Sequence, residues 1–253
     1  MSNISVNTIT DASGGSTASI NGLTPQASNM QPHNLIINGA MTVDQRNAGA
    51  SVTINTAQNT YVVDRWSGFG YASDGVFTME KSSVSPAGFT NSLLSTVTTA
   101  DASIGAGQLY LSARQKIEGF NFASLSWGTA SAQAVTLSFW VRSSLTGTFG
   151  GSLTNGDQNR SYPFAYTISA ANTWEYKTIA IEGDTSGTWL TTNGIGADLF
   201  FSIGTGTTYS GTAGAWAGAG YYSATGATNL ISTLNATWQI TGVQLEAGST
   251  ASP

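Results

Sequence analysis

The 253-residue chain has no cysteine and a single histidine, His33, which excludes disulfide scaffolds, thiol catalysis and Cys/His zinc sites from one copy of it. Charge is nearly as scarce. Eight Lys and Arg stand against thirteen Asp and Glu, together 8% of the residues where an ordinary soluble domain carries about a quarter. A net charge of −5 leaves no basic stripe to neutralise phosphates, so nucleic acid is not an expected partner. No apolar run approaches the roughly 20 residues of a transmembrane helix, and the first residues, MSNISVNTITDASGG, lack the basic start and apolar stretch of a secretory signal. Neither membrane insertion nor signal-directed export is expected, and the absence of cysteine fits synthesis in a reducing cytoplasm. What is present instead is glycine (30) and a background of Ser, Thr and Asn, with Trp 7, Tyr 9 and Phe 10. Hydrophobic residues at 40% supply a core, so the surface must consist of hydroxyls and amides.

The search for catalytic constellations returns little. A Ser-His-Asp triad needs a histidine base, and His33 sits beside Pro32 in a linker-like setting. There is no Gly-x-Ser-x-Gly elbow, and no Gly-x-Gly-x-x-Gly or Walker pattern that would cradle a phosphate. Glycoside hydrolysis needs only two carboxylates, but the acids stand singly in turns and at strand ends: Asp44, Asp64, Asp101, Asp157, Asp184, Asp198 and Glu246. The expectation is a protein that is not an enzyme and carries no cofactor. A calcium ion held by one or two Asp and backbone carbonyls leaves little trace in a sequence. Asp44, Asp64 and Glu246 are the first candidates for one, against a plain polar network of Asp64 with Arg65.

Two regions differ in composition. Residues 1–33 hold no aromatic residue and only sparse apolar pairs, Val6 with Ile9 and Ile20 with Leu23. Such a segment buries too little apolar surface to offset its ordering entropy, so it reads as an extended N-terminal arm that orders by docking on a partner. From Asn34 to Pro253 the signal is period-two alternation, the mark of half-buried strands. In AVTLSFWVRSS, Val135, Leu137, Phe139 and Val141 share one face, while Thr136, Ser138, Trp140 and Arg142 share the other. Similar runs occupy residues 61–66, 76–81, 93–98, 110–117, 160–168, 174–181, 199–203 and 237–245. The segment LSARQKIEG (111–119) is the best helix candidate, yet Leu111, Ala113, Gln115 and Ile117 alternate cleanly and predict a strand. Turns rich in Gly, Asn and Asp separate the runs without a linker, which implies an all-β, two-sheet antiparallel sandwich of the jelly-roll kind. Residues 204–230, rich in Gly and Ala, predict a long loop of the sort that carries function.

The aromatics divide by setting. Phe139, Phe201 and Trp238 alternate in apolar phase and are assigned to the core. Trp189, Trp216, Tyr221 and Tyr222 lie in Gly-rich surroundings where no strand pattern demands them. Rings beside hydroxyls and amides suit sugars, since a pyranose face stacks on the ring while the amides bond its edge. These four are the candidate glycan-binding residues; the alternative is that they plug an end of the sandwich or a subunit interface.

Several segments carry a family resemblance: NLIINGAMTVDQRNAG (34–49), YVVDRWSGFG (61–70), AWAGAGYYSATGATNL (215–230) and WQITGVQLEAGSTASP (238–253). They resemble tail fibre and minor structural proteins of tailed-bacteriophage virions, whose body is a carbohydrate-binding-module-like jelly roll. The resemblance implies a homotrimer exposed on the particle, joined to other virion proteins through the arm (Val6, Ile9, Ile20, Leu23) and contacting host surface glycans. A capsid decoration or head-fibre protein has the same layout, and sequence does not separate it from a tail appendage. A polysaccharide-degrading enzyme is the third reading. Relatives read ATPFE near the end of this domain and many continue; with STASP here, the expectation is attachment through the arm and no downstream tip.

Overall fold

A computed structural model describes residues 34–249 apart from Thr56, Ala72 and Ser73. The arm residues Val6, Ile9, Ile20 and Leu23, and His33, lie outside the described residues. Among those described, the chain runs through β1 (Val52–Ile54), β2 (Thr60–Tyr61), β3 (Ser67–Tyr71), β4 (Val76–Ser82), β5 (Ser92–Thr99) and β6 (Leu109–Glu118). A single helical turn, α1 (Gly119–Phe122), precedes β7 (Val135–Ser143), β8 (Gly147–Asn155), β9 (Ser161–Ile168), β10 (Glu175–Ile181) and β11 (Ile195–Thr205). Two short strands, β12 (Ser210–Gly211) and β13 (Ser223–Ala224), lead to β14 (Thr237–Ala247).

The strands form two six-stranded sheets, β1-β4-β5-β14-β7-β10 (sheet 1) and β2-β3-β6-β11-β8-β9 (sheet 2). Every ladder in both is antiparallel. The chain changes sheet repeatedly, and its last strand, β14, closes the centre of sheet 1 between β5 and β7. This is the all-β jelly-roll sandwich that the alternation predicts. Its core is the inward phase of each run: Val135, Leu137, Phe139 and Val141 from β7 meet Phe149, Phe164, Leu199 and Phe201 from sheet 2, all at most 1% exposed. Phe139 and Phe201 meet edge to face at 5.0 Å, and the buried Trp238 indole donates to Tyr166 Oη at 3.1 Å. The core assignment of Phe139, Phe201 and Trp238 holds.

Three predicted elements come out differently. After Tyr61, the last residue of β2, residues 62–66 are a turn leading to β3, closed by Val62 N to Trp66 O and Trp66 N to Val63 O, both 3.0 Å. They read as a strand because the turn folds Val62, Val63 and Trp66 all into the core. Strand β8, GTFGGSLTN, went unpredicted because its glycines mask the alternation. Those glycines face the third difference, the 204–230 loop, which is ordered by the parallel β12–β13 pair and a Ser161–Ala217 bridge. The loop lies flat on the outer face of sheet 2: a Cβ at Gly150 would come 2.3 Å from Ser223 Oγ and 2.7 Å from Ala224 N. Gly150→Ala should therefore lift the loop at a cost of about 1–3 kcal/mol while the sandwich persists. Hydrogen exchange at the amides of Thr225 and Thr228, bonded to Gly211 O and Thr148 O, reads this directly; unchanged exchange there would refute the packing argument.

Unpaired strand edges invite association, and this chain blunts its own. β1 and β2 are three and two residues long. β9 carries Pro163, which lacks a donor, and β10 holds Lys177 in register with the inward-facing Phe139, its Nζ 2.6 Å from Glu175 Oε2. Burial works against the Glu175 charge, but Lys177 and the amides of Ser169 and Ala170 prevail and hold its carboxyl below the usual range. The edges therefore do not need a partner subunit to cover them.

Residues 34–49, 61–70 and 238–249 meet in space. Leu35 N bonds Leu245 O at 2.8 Å, Val243 N bonds Gly39 O at 3.1 Å, Asn38 Nδ2 bonds Asp64 O at 2.9 Å, and Trp66 Nε1 bonds Asn38 O at 3.0 Å. These bonds make a clasp that ties residues 34–43 to the β2–β3 turn and to β14.

Candidate glycan-binding surfaces

The four predicted aromatics do not form one platform. Trp189 is 7% exposed, locked edge to face with Trp127 (4.7 Å) and Trp216 (5.5 Å) and stacked on Phe122 (5.6 Å). Tyr162 closes on Trp216 at 5.2 Å, and each indole has a backbone acceptor: Gln133 O for Trp127, Ser186 O for Trp189, Glu182 O for Trp216. Arg160 caps the cluster 6.0 Å from Trp216 while making two bonds, 2.7 and 2.6 Å, to the buried Asp184. Trp189 thus plugs one end of the sandwich, which corrects its assignment to a sugar platform, while Trp216 packs against that plug and stays partly exposed. Five packed rings gain more from each other than from solvent or ligand. Tyr221 is spent in the same way, its ring pressed on Gly211 and Pro163.

Tyr222, partly exposed like Trp216 and Tyr221, stands in a different setting. It is half-buried, edge to face with Phe200 (5.0 Å) and Tyr209 (5.5 Å), over a pocket on the outer face of sheet 2. Its hydroxyl donates to Gln158 Oε1 at 2.8 Å, and burial pushes its pKa up.

The calcium candidates also separate. Asp44 accepts the amides of Asn47 and Gly49, Asp64 accepts Gln45 N at 3.0 Å, and Glu246 is buried on β14 in register with Thr136. Arg65 turns away from Asp64, toward Glu118 (3.8 Å) and Lys116 O, so the expected Asp64–Arg65 network does not form. Among the described residues, no three His, Cys, Asp or Glu converge.

A different surface has the layout that sugar binding needs. On the outer face of sheet 1, Trp140 (β7) and Tyr176 (β10) are in register, their rings 5.4 Å apart and tilted by 46°. Tyr176 is 43% exposed. With Phe89, Gly242 and Gln244 they line a cleft of about 400 Å³. The cleft exists because β14 bulges between Thr241 and Gln244 with Gly242 at φ +61°; a Cβ at Gly242 would strike the Phe89 ring at 2.6 Å. Thr241, in register with Trp140, is fully buried and its Oγ1 has no hydrogen-bond partner among the described residues. Ser138 Oγ bonds Gln244 Oε1 at 3.3 Å, and Arg142 bonds Gln239 Oε1 at 2.6 Å, so amides and hydroxyls continue along the face. By contrast, a wider groove of about 1040 Å³ between residues 37–46 and the β2–β3 turn is walled by the clasp, whose Asn38 and Asp64 are consumed by turn amides and carbonyls.

No protein-family profile matches the chain, and no curated protein matches it in sequence. Solved structures with a similar path include the enzymatically active domain of tailspike protein 4 of bacteriophage CBA120, at TM-score 0.44 and 14% identity over 85% of this chain. This chain spans 21% of the length of that one. A CBM4 structure has TM-score 0.39 and 13% identity over 84% of this chain and 99% of its own. The family 11 carbohydrate-binding module of Clostridium thermocellum, in complex with a β-1,3-1,4-mixed-linked tetrasaccharide, has TM-score 0.40 and 11% identity over 81% of this chain and 99% of its own.

The sheet 1 cleft was partly visible in sequence. Alternation puts Trp140 on the outward face of its strand, and Tyr176 lies in the predicted run 174–181. Their pairing is a matter of register between β7 and β10, and the approach of Phe89 depends on a bulge some 150 residues away, on the order set by residue numbers alone.

Proposed function

We propose that this chain is a structural protein of a bacteriophage virion, a tail fibre or tail appendage anchored through residues 1–33, whose jelly roll binds host surface glycans and does not cleave them. The outward Trp140–Tyr176 pair over a mainly apolar cleft, with the Gln244 amide at its edge, carries the binding half of this reading. A sugar face stacks on the rings, and its hydroxyls reach Gln244. Binding without cleavage is supported by the acids. Asp184 and Asp198 are held by arginines, Asp101 by Tyr110, and Glu175 by Lys177. The virion half rests on the resemblance of residues 34–49, 61–70 and 238–253, and the homotrimer it implies forms through surfaces other than open strand ladders.

Arrays of host surface polysaccharide test the binding half. Wild-type chain is expected to bind saturably, and Trp140→Ala or Tyr176→Ala to weaken Kd roughly thirtyfold, about 2 kcal/mol for the loss of an aromatic anchor, while the fold persists. Retained binding in both variants would remove this site. Incubation should release no new reducing ends. A tagged copy on negatively stained particles should sit at the tail; a position on the head would select the capsid-decoration alternative.

A further inference from the structure

The pocket beneath Tyr222 has a chemistry unlike that of the sheet 1 cleft. Its floor is Leu109, Leu111 and Phe200, each at most 4% exposed, forming an apolar cluster separate from the main core. Tyr71 and Tyr209, edge to face at 6.4 Å, stand with Tyr222 as its walls. The volume is about 190 Å³, some six waters at roughly 30 Å³ each, which is the room for one sugar ring and not for a chain of them.

Charge in the pocket is already matched. The Arg114 guanidinium lies 5.0 Å from the Phe200 ring, and its donors go to both oxygens of the buried Asp198 and to Asn59 Oδ1. Gln158 links Asp198 to the Tyr222 hydroxyl. An anionic or cationic ligand finds no unmatched counter-charge there. At the rim, the hydroxyls of Tyr71 and Tyr209 make no hydrogen bond among the described residues and are available to a neutral ligand. The floor offers no polar atom at all, so a ligand hydroxyl reaching it would lose water without a partner, whereas a methyl group would not.

We propose that this pocket takes a single terminal 6-deoxyhexose of a host surface glycan, its methyl group seated on Leu109, Leu111 and Phe200 and its ring hydroxyls turned to the tyrosine rim. The proposal rests on the glycan-binding reading above and adds a second site on the opposite face of the sandwich.

The experiment is a ligand-observed NMR titration of the full chain with methyl α-L-fucoside and with methyl α-L-galactoside, which differ only in the hydroxyl on carbon 6. The fucoside should bind ten- to a hundredfold more tightly, the discrimination an apolar pocket achieves against an added hydroxyl, with strongest saturation transfer to its C6 methyl. Tyr222→Ala should abolish this and Trp140→Ala should leave it unchanged. Tyr71→Ala, at an exposed rim position, serves as a second variant if Tyr222→Ala loosens the loop. Equal binding of the two glycosides, or fucoside binding indifferent to both tyrosine variants, overturns the proposal. If neither glycoside binds while polysaccharide binding still depends on Trp140, this inference fails and the sheet 1 reading stands. If polysaccharide binding is also absent, the glycan reading itself fails.

Discussion

Trp189→Ala should lower the unfolding free energy by about 3–5 kcal/mol and leave glycan binding intact. The indole is enclosed by Phe122, Trp127 and Trp216, its Nε1 bonds Ser186 O at 3.2 Å, and its ring edge lies 3.3 Å from where a Gly128 Cβ would be. Truncation leaves a cavity that three rings, each held by other contacts, cannot collapse to fill. For a domain of this size each kcal/mol moves Tm by roughly 2–4 °C, so a fall of about 6–20 °C is expected by calorimetry. Trp140→Ala inverts the pattern, since that ring stands on an open sheet face: binding is lost and most of the stability stays. The pair of variants separates a structural tryptophan from a binding one. An unchanged Tm for Trp189→Ala with lost binding would return the platform to the end plug.

Which parts of this molecule were legible follows from how many sides of each strand are covered. β4, β7 and β10 lie in sheet 1, where one face is core and the other meets solvent, and their alternation names both faces. Sheet 2 is covered twice, by the core and by residues 206–229, so β11 is buried along nearly its whole length and β8 is thinned to glycine where the loop presses on it. Period-two reasoning has no polar phase to find in β8, whose burial pattern is almost unbroken. The same covering hides where the loop aromatics face. Aromatics in glycine-rich sequence suggested exposed rings, yet those glycines make room for the rings: Gly128 beside Trp189 and Gly211 beneath Tyr221. Composition alone does not distinguish a glycine that frees an aromatic from one that admits it. Trp140, marked outward by its strand, was the more reliable signal because sheet register ties a residue's direction to that of its neighbours.

Asp198→Ala should cost about 3–5 kcal/mol, since it leaves the Arg114 guanidinium, 10% exposed, without its carboxylate on the covered face of sheet 2. Burial pushes the Asp198 carboxyl up while Arg114 pulls it back, so the pair balances two large opposing terms. Replacing both members with apolar side chains of similar size, Arg114→Met with Asp198→Leu, should recover most of the loss, because it removes the desolvation of both charges together. Urea unfolding of the two single variants and the double completes the cycle, and a double variant no more stable than Asp198→Ala would mean that the pair is worth its burial. This outcome bears on the scarcity of charge. Of the described cations, Arg114 and Arg160 are held by carboxylates only 1% and 2% exposed, where salt screens poorly. Beyond these and the Lys177–Glu175 and Arg65–Glu118 pairs, the polar surface is mainly neutral hydroxyls and amides. Stability should therefore change little between low and molar NaCl in the wild-type chain, whereas the Asp198→Ala variant, with an unmatched cation near the surface of the Tyr222 pocket, should gain stability as added anions reach it. A salt-independent Asp198→Ala variant would show that Asn59 suffices to hold Arg114, and that the carboxylate is not what keeps the pocket floor in place.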